Sequence, residues 1–447
     1  MKRLLYLALV LLTFAGCKKT DNLVFEERPE IRMQKSIEEV KSILTSSTNG
    51  WVASLPTQAG GGYGFYMAFD QNEVVKMYGD LTDPTATTLG TSTYRVKANL
   101  GAELIFDTYN YISLLGDPNP SSFGGATGTG LKSDVEFIYD RSTADSIVFI
   151  GKKYRQELRM VKASAAQKTA FDAGTYKTGM DRIKSFFATI KNPYIDVMSG
   201  TATVKSAVSV NFTNVLASGK RIGFTGVLAD NKTVITGTSK FAFKLDGADL
   251  LGTGLVYSGI TFVRMAWKDA TTLAFYDAAG KEYVIKSNPT PLTPFGLLFG
   301  FQTSYPYKKL TISSAGLPTG VTSGFTAVYQ QMQALFVAGG RSVTSTTFTL
   351  TSNSVLTVEI NYLSGTSAFV ASATYGYTRV DDVITLDNNP IPNVNWPTRA
   401  AQIKPLADYM LTGPFKIDWV TSTNPSSPLL GGLYRTADLT SFIYGTL

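Results

Sequence analysis

The sequence predicts a mainly β protein: antiparallel sheets, built as sandwiches or incompletely closed barrels, with a few packed helices. Three observations carry this. Short runs rich in aromatic and β-branched residues recur along the whole chain. The gaps between them are mostly of hairpin length, which joins antiparallel neighbours. With 44% hydrophobic and 12% aromatic residues among 447, each of the two or three domains that the length suggests can bury a core.

The first element is not a strand. Lys2 and Arg3 precede LLYLALVLLTF (4–14), an uncharged apolar run, and Ala15 and Gly16 lead to Cys17, the sole cysteine. A basic start, an apolar middle and small residues before a cut describe a secretory signal peptide. The run is shorter than the ~20 apolar residues of a permanent span. Residues 1–16 are therefore assigned as the signal. The small pair before Cys17 resembles the lipobox of bacterial lipoproteins, although Phe14 stands where Leu is usual. That resemblance implies diacylation of the Cys17 thiol, cleavage before it and acylation of the new amine. One acyl chain holds a protein only marginally, at ~0.8 kcal/mol per buried methylene; three make a lasting anchor. A body without disulfides is also safest in an oxidising envelope with no spare thiol.

Residues 17–32 are expected to be a tether, KKTDNLVFEERPEIR after Cys17, reaching about 50 Å when extended. Met33, Ile37, Val40 and Leu44 then recur at helical spacing, and SSTNG (46–50) ends the helix. Trp51 is expected to anchor it to the first sheet. Strands follow at 61–70, 73–80, 91–99, 102–115, 134–140, 146–153 and 156–163. The Pro/Gly/Ser stretch 116–130 is of the length that is either functional or mobile. These elements form a first module, 33–164.

A helical region over Ala165–Lys191 opens the second module, 165–292, whose strands include KRIGFTGVL, KFAFKLDG, GITFVRMAW and TLAFYDA. NPTPLTP (288–294) reads as a linker. The third module, 293–447, combines helices near Phe325–Val337 and Ile403–Leu411 with strands such as VLTVEINYL and PFKIDWV. There is a hint of duplication: Tyr94–Lys97 with GAEL (101–104) resembles Phe241–Lys244 with GADL (247–250), and VEFIYD with SIVFIGKK resembles ITFVRMAW with TLAFYDAAGK.

Composition narrows the chemistry. There is no histidine, which removes Ser-His-Asp and Cys-His activation and, with one lipidated cysteine, the usual zinc ligands. No catalytic residue, metal site or cofactor is assigned. Losing Lys2 and Arg3 with the signal leaves 39 basic against 34 acidic side chains, without the clustered cations of a nucleic-acid surface. Asp107, Tyr109 and Asn110 in LIFDTYN are candidate ligand-binding residues: on an alternating strand Asp107 and Tyr109 share a face. The competing role for Asp107 is to satisfy local backbone donors. Trp396, between Pro392 and Pro397, is the tryptophan chosen as an exposed platform for a sugar ring, against core packing. Glu103 and Asp107, about 13 Å apart on one strand, are too far apart for a glycosidase pair. Asp381, Asp382, Asp387 and Asn388 lack calcium-loop spacing, and Gly60–Gly62 precede a strand rather than a phosphate-binding helix.

The lipobox cysteine, the helix leading to Asn49-Gly50-Trp51, the strand GFYMAFD and the run TSTYRVKANLGAELIFDTYN together resemble a Bacteroidota lipoprotein family, domain of unknown function 4302. The ending PFKIDWV…GGLYR…SFIYGTL also fits its C-terminal region. The resemblance implies an exported lipoprotein encoded near SusC/SusD-type nutrient importers, and carries over no catalytic residue. Lys18 and Lys19 replace the acidic run usual after the cysteine of surface-exposed members, leaving open which side of the outer membrane the body faces. The expectation is a non-catalytic, outer-membrane-anchored accessory protein that binds a glycan or peptide or docks on an importer. The alternatives are a carboxylate-based envelope hydrolase and a scaffold or adhesin without a small ligand.

Overall fold

The computed structural model describes residues 28–99 and 101–447. The signal, Cys17 and the tether up to residue 27 lie outside them. The first helix begins at Pro29 and runs to Thr45, four residues before the start expected from its apolar stripe. Proline at the first helical turn is the cause: its fixed φ suits the helix and its missing N–H has no partner to lose there, while Glu30 favours the positive end of the helix dipole. Val40 and Leu44 are buried, whereas Met33 is exposed, so only the C-terminal half of the stripe faces the core.

Eight strands follow: β1 Trp51–Pro56, β2 Gly62–Phe69, β3 Val74–Gly79, β4 Gly90–Ala98, β5 Ala102–Phe106, β6 Glu136–Ser142, β7 Ser146–Gly151 and β8 Glu157–Lys162. Each pairs with the next, and β8 returns to β1 through Trp51↔Lys162, Val52↔Val161, Ala53↔Met160 and Ser54↔Arg159, closing a barrel. Burial alternates along β1, as a two-residue period demands when one face is inside. The interior is filled by Leu55, Phe65, Met67, Leu104, Phe137, Phe149 and Leu158, each at most 1% exposed. Each such side chain contributes about 1.5–3 kcal/mol by leaving water.

Trp51 does anchor the helix. It is fully buried, and its indole N–H donates to Leu44 O at 2.9 Å. Gly50 makes that junction feasible, with φ +73° and a hypothetical Cβ only 2.7 Å from Met67 O.

The strand expected over 102–115 ends at Phe106. Asn110 is the reason: its side-chain oxygen accepts from the N–H groups of Ile112 and Ser113 and starts the short helix Tyr111–Leu115. Residues 116–130 are an ordered structure rather than an open loop. They hold a turn of helix, Pro120–Phe123, and the Ala126↔Gly130 bridge. Phe123 is buried edge-on against Tyr63 at 5.7 Å.

The chain divides into compact units after Tyr176. The helical region of 165–191 is two helices, Ala165–Asp172 and Thr175–Thr189, broken where Gly174 takes φ +75°. In the first unit, Phe171 packs on Tyr66 with ring centroids 4.9 Å apart.

The second unit holds two sheets. The first contains β9 Tyr194–Ser199, β10 Ala202–Asn211, β11 Arg221–Val227, β12 Val234–Phe243, β13 Gly247–Leu250, β14 Leu255–Tyr257, β15 Ile260–Trp267, β16 Leu273–Asp277 and β17 Glu282–Val284. Apart from β14, which pairs with β15, it is a meander of eight strands in chain order. Its ends meet at the bridge Tyr194↔Lys286, beside which Asn288 N–H donates to Lys191 O at 3.1 Å. The segments that resemble one another in sequence occupy the fourth to seventh positions of this meander and of the first barrel: β4, β5, β6 and β7 against β12, β13, β15 and β16.

The last sheet comprises β18 Lys309–Ile312, β19 Arg341–Leu350, β20 Val355–Ser364, β21 Ser367–Val380, β22 Val383–Leu386, β23 Ile391–Pro392, β24 Phe415–Val420, β25 Leu430–Arg435 and β26 Asp438–Thr446. Pairing of β20 with β21 and of β18 with β26 curls it into a nearly closed barrel. The helices Phe325–Ala338 and Ala400–Met410 bury Phe325, Tyr329, Ile403 and Leu406 in its core.

Candidate functional site

The residues chosen from sequence separate into different roles. Asp107 lies just past β5, so strand alternation does not place it beside Tyr109. Its carboxylate accepts from Thr93 Oγ1 and sits 2.6 Å from Arg95 Nε; the Thr93 hydrogen bond, aided by the Arg95 charge, holds its pKa below the usual carboxylate value. Tyr109 is 64% exposed and donates to Asp117; desolvation, then the Asp117 carboxylate, push its phenol up to about 12. Asn110 is buried, its oxygen occupied by the helix cap and its amide donating to Ser92 Oγ at 3.1 Å. Asp107 and Tyr109 are both exposed, but the Asp107 carboxylate is taken up by Thr93 and Arg95.

Trp396 corrects the expectation of an exposed platform. It is 8% exposed, inside the short helix Asn395–Thr398 and part of the last core. A proline-flanked stretch looks open in sequence, but here Asn393 accepts the Trp396 N–H and folds the turn inward. Trp419 is equally buried and donates to Thr293 O at 2.8 Å. Trp267 is covered by the Arg182 guanidinium, 3.6 Å from the ring centroid.

A different group of residues forms a charged cleft in the first unit. It has a volume of about 340 Å³, with Gly128 and Thr129 on one wall and Ser133, Asp134, Glu136 and Lys152 on the other, beside Lys153 and Tyr154. Strand register creates it. β5 and β6 set Glu136 opposite Ile105, two residues along β5 from Glu103 and on the same face, and Lys152 N–H donates to Glu136 O at 2.9 Å. The Lys152 ammonium then reaches Glu136 Oε2 at 2.6 Å and Glu103 Oε2 at 3.0 Å. Those bonds, Glu136 first, raise the Lys152 pKa. Asp134 is buried and accepts from Lys153 N–H and Tyr154 N–H, at 2.8 and 2.9 Å. It lies so close to residue 151 that a Cβ there would sit 2.3 Å from Asp134 Oδ2, so glycine is required. Ser133 Oγ is buried in this wall without a hydrogen-bond partner.

This arrangement can recognise hydroxyl groups. Glu136 retains acceptor positions, Lys152 and Lys153 donate, and Tyr154 supplies a ring with the Lys153 ammonium 4.9 Å from its centroid. Of its three carboxylates, Glu103 is 1% exposed and sits behind Lys152, and Asp134 is buried and tied to two backbone N–H groups, which leaves Glu136 as the one turned to a ligand. Sequence reasoning weighed Glu103 only against Asp107, set that pair aside as too far apart, and missed Glu136 and Lys152. Only the cross-strand register brings those residues together. Among the described residues there is no group of three His, Cys, Asp or Glu that could hold a metal ion, and no helix is long and apolar enough to cross a membrane.

No curated protein matches the chain. The model of a family described as a domain of unknown function, DUF4302, matches residues 21–269, which take in the first barrel and the second meander as far as β15. The match stops short of the last sheet and thus of the C-terminal run that also resembles the family. Because it spans more than half of the sequence, the chain belongs to the DUF4302 family.

Proposed function

We propose that the protein is an outer-membrane accessory lipoprotein, anchored through Cys17, that binds a glycan in the cleft around Lys152 without chemically altering it. The observation that carries this is the Glu103–Lys152–Glu136 group beside Tyr154. It is a fixed set of donors and acceptors on paired strands, next to a buried Ser133 hydroxyl that makes no hydrogen bond. Rigid strands hold such a set in place better than loops do, which favours binding. The interior of the first barrel is packed with side chains, so a ligand meets this unit from outside. The lipobox-like leader supports the envelope location, and the family resemblance supports work beside a SusC/SusD-type importer.

A glycan array probed with the full chain tests the reading. Specific hits that weaken about tenfold in Glu136→Gln and in Lys152→Met, with the fold intact by circular dichroism, support it. Silence across the array, or hits indifferent to both substitutions, removes the cleft as a glycan site. Release of reducing sugar from a bound oligosaccharide would instead favour the hydrolase.

A further inference from the structure

The charge of the cleft around Lys152 narrows the ligand further than its shape does. Three carboxylates, Glu103, Asp134 and Glu136, stand against the two ammonium groups of Lys152 and Lys153, which leaves an excess of negative charge. The Lys152 charge is divided between Glu103 and Glu136, at 3.0 and 2.6 Å. Lys153 is exposed, with its ammonium 4.9 Å from the Tyr154 ring centroid. Asp134 is only 7% exposed, yet it is held by the main-chain N–H groups of Lys153 and Tyr154 rather than by a cation. A carboxylate withdrawn from water in this way favours a positive charge brought near it, and a concave site focuses the field of its excess charge.

The hydrogen-bonding groups along the same wall have the same bias. Glu136, with a side chain 41% exposed, gives Oε2 to Lys152 and keeps Oε1 for a ligand. Ser133, also 7% exposed, lines the cleft with an Oγ that bonds to nothing in the protein. A buried hydroxyl of this kind calls for a partner and has two lone pairs to offer. Lys152 has already committed two of its three N–H donors, to Glu103 and Glu136. Open acceptors therefore prevail on this wall, and the matching ligand group is one that only donates. An ammonium does so, with three N–H groups, no acceptor and a full positive charge. A carboxylate or a sulfate only accepts, and meets Glu136 with like charge.

We infer, on the reading that this cleft holds a glycan, that it selects glycans carrying a free ammonium group, those built from de-N-acetylated hexosamine, over neutral and acidic ones. Glu136 and Ser133 receive the ammonium, and Asp134 and Glu103 supply the field behind them.

The test uses the full chain and three tetrasaccharides that share a β-1,4-linked backbone and differ only at the second carbon of each ring: cellotetraose with a hydroxyl, chitotetraose with an acetamide and deacetylated chitotetraose with an amine. Tetragalacturonate serves as the acidic probe. In calorimetric titrations at about pH 5.5, where the carboxylates are ionised and the sugar amine is protonated, the deacetylated form should bind at least tenfold more tightly than the other three. Raising the pH to about 8.5 deprotonates the sugar amine and should remove the preference. The chain has no histidine, so no side chain lining the cleft changes charge over that interval. Glu136→Gln keeps the shape and one acceptor but removes the charge, and should erase the preference at the lower pH as well. Should that variant misfold, the two-pH comparison on the unaltered chain decides by itself. Equal affinity for the three matched sugars, tightest binding of tetragalacturonate, or a preference that persists at the higher pH would overturn the inference and leave the cleft a glycan site. Silence toward all four probes beside specific hits elsewhere on the array would overturn it alone, and silence in both experiments would remove the glycan reading with it.

Discussion

The Lys152 ammonium stands 3.0 Å from the carboxylate of Glu103, which is 1% exposed. A carboxylate held that far from water depends on a nearby opposite charge. Lys152→Met should lower the denaturation midpoint of the first unit, and adding Glu103→Leu should recover most of the loss. Urea melts of the two variants, followed by tryptophan fluorescence, check the coupling. Equal midpoints for single and double variants would show that the pair is not coupled.

Gly50 is predicted to tolerate no side chain. At φ +73°, and with a Cβ 2.7 Å from Met67 O, Gly50→Ala should cost about 1–3 kcal/mol of stability. The same substitution at Gly128, also at positive φ but with open space around it, should cost less. Parallel urea denaturation of the two variants checks the difference.

Asn110 separates capping from ligand binding. Asn110→Ala removes the acceptor for Ile112 N–H and Ser113 N–H and should cost about 1–2 kcal/mol. Asn110→Asp keeps that acceptor and should retain most of it. Glycan binding that tracks stability in both variants would identify the residue as structural.

The pH dependence has two limbs. Asp230 and Asp269 have pKa values lowered to about 2, the first chiefly by the Thr233 hydroxyl and the second chiefly by the Thr271 N–H. A lowered folded value means a contribution that is present above 3.8 and lost as pH falls toward 2. Burial raises Tyr94 and Tyr375 to about 12, so their contribution is complete below pH 10 and lost as pH rises through 12. Melting temperature against pH should fall on both sides, and the absorbance of tyrosinate should show a late-titrating fraction.

How far these features could be read from the sequence follows the range of the forces that form them. The β class, the helix through Val40 and Leu44, and the anchoring by Trp51 rest on local periodicity and a single large apolar residue, and all were legible. The helix start at Pro29 was not, because the polar stretch before Met33 shows no sustained apolar period and reads as part of the tether. Tyr111–Leu115 looked like strand until the cap at Asn110 was recognised. The charged cleft was invisible, since Glu103, Glu136 and Lys152 lie far apart in the chain and meet only through the register of neighbouring strands. Trp396 misled because flanking prolines describe the backbone, not what the ring packs against.

The meander order also governs how the first barrel comes together. Each hairpin from β1 to β7 can form as soon as its own residues are available, but β1 must await β8, more than a hundred positions later in the chain. Loop-closure entropy makes that last contact the slow one. A chain emerging from its amino terminus therefore carries Trp51–Pro56 with a raw outer edge until residues 159–162 arrive. A chaperone that shields this one stretch would protect the whole barrel from clumping with its neighbours.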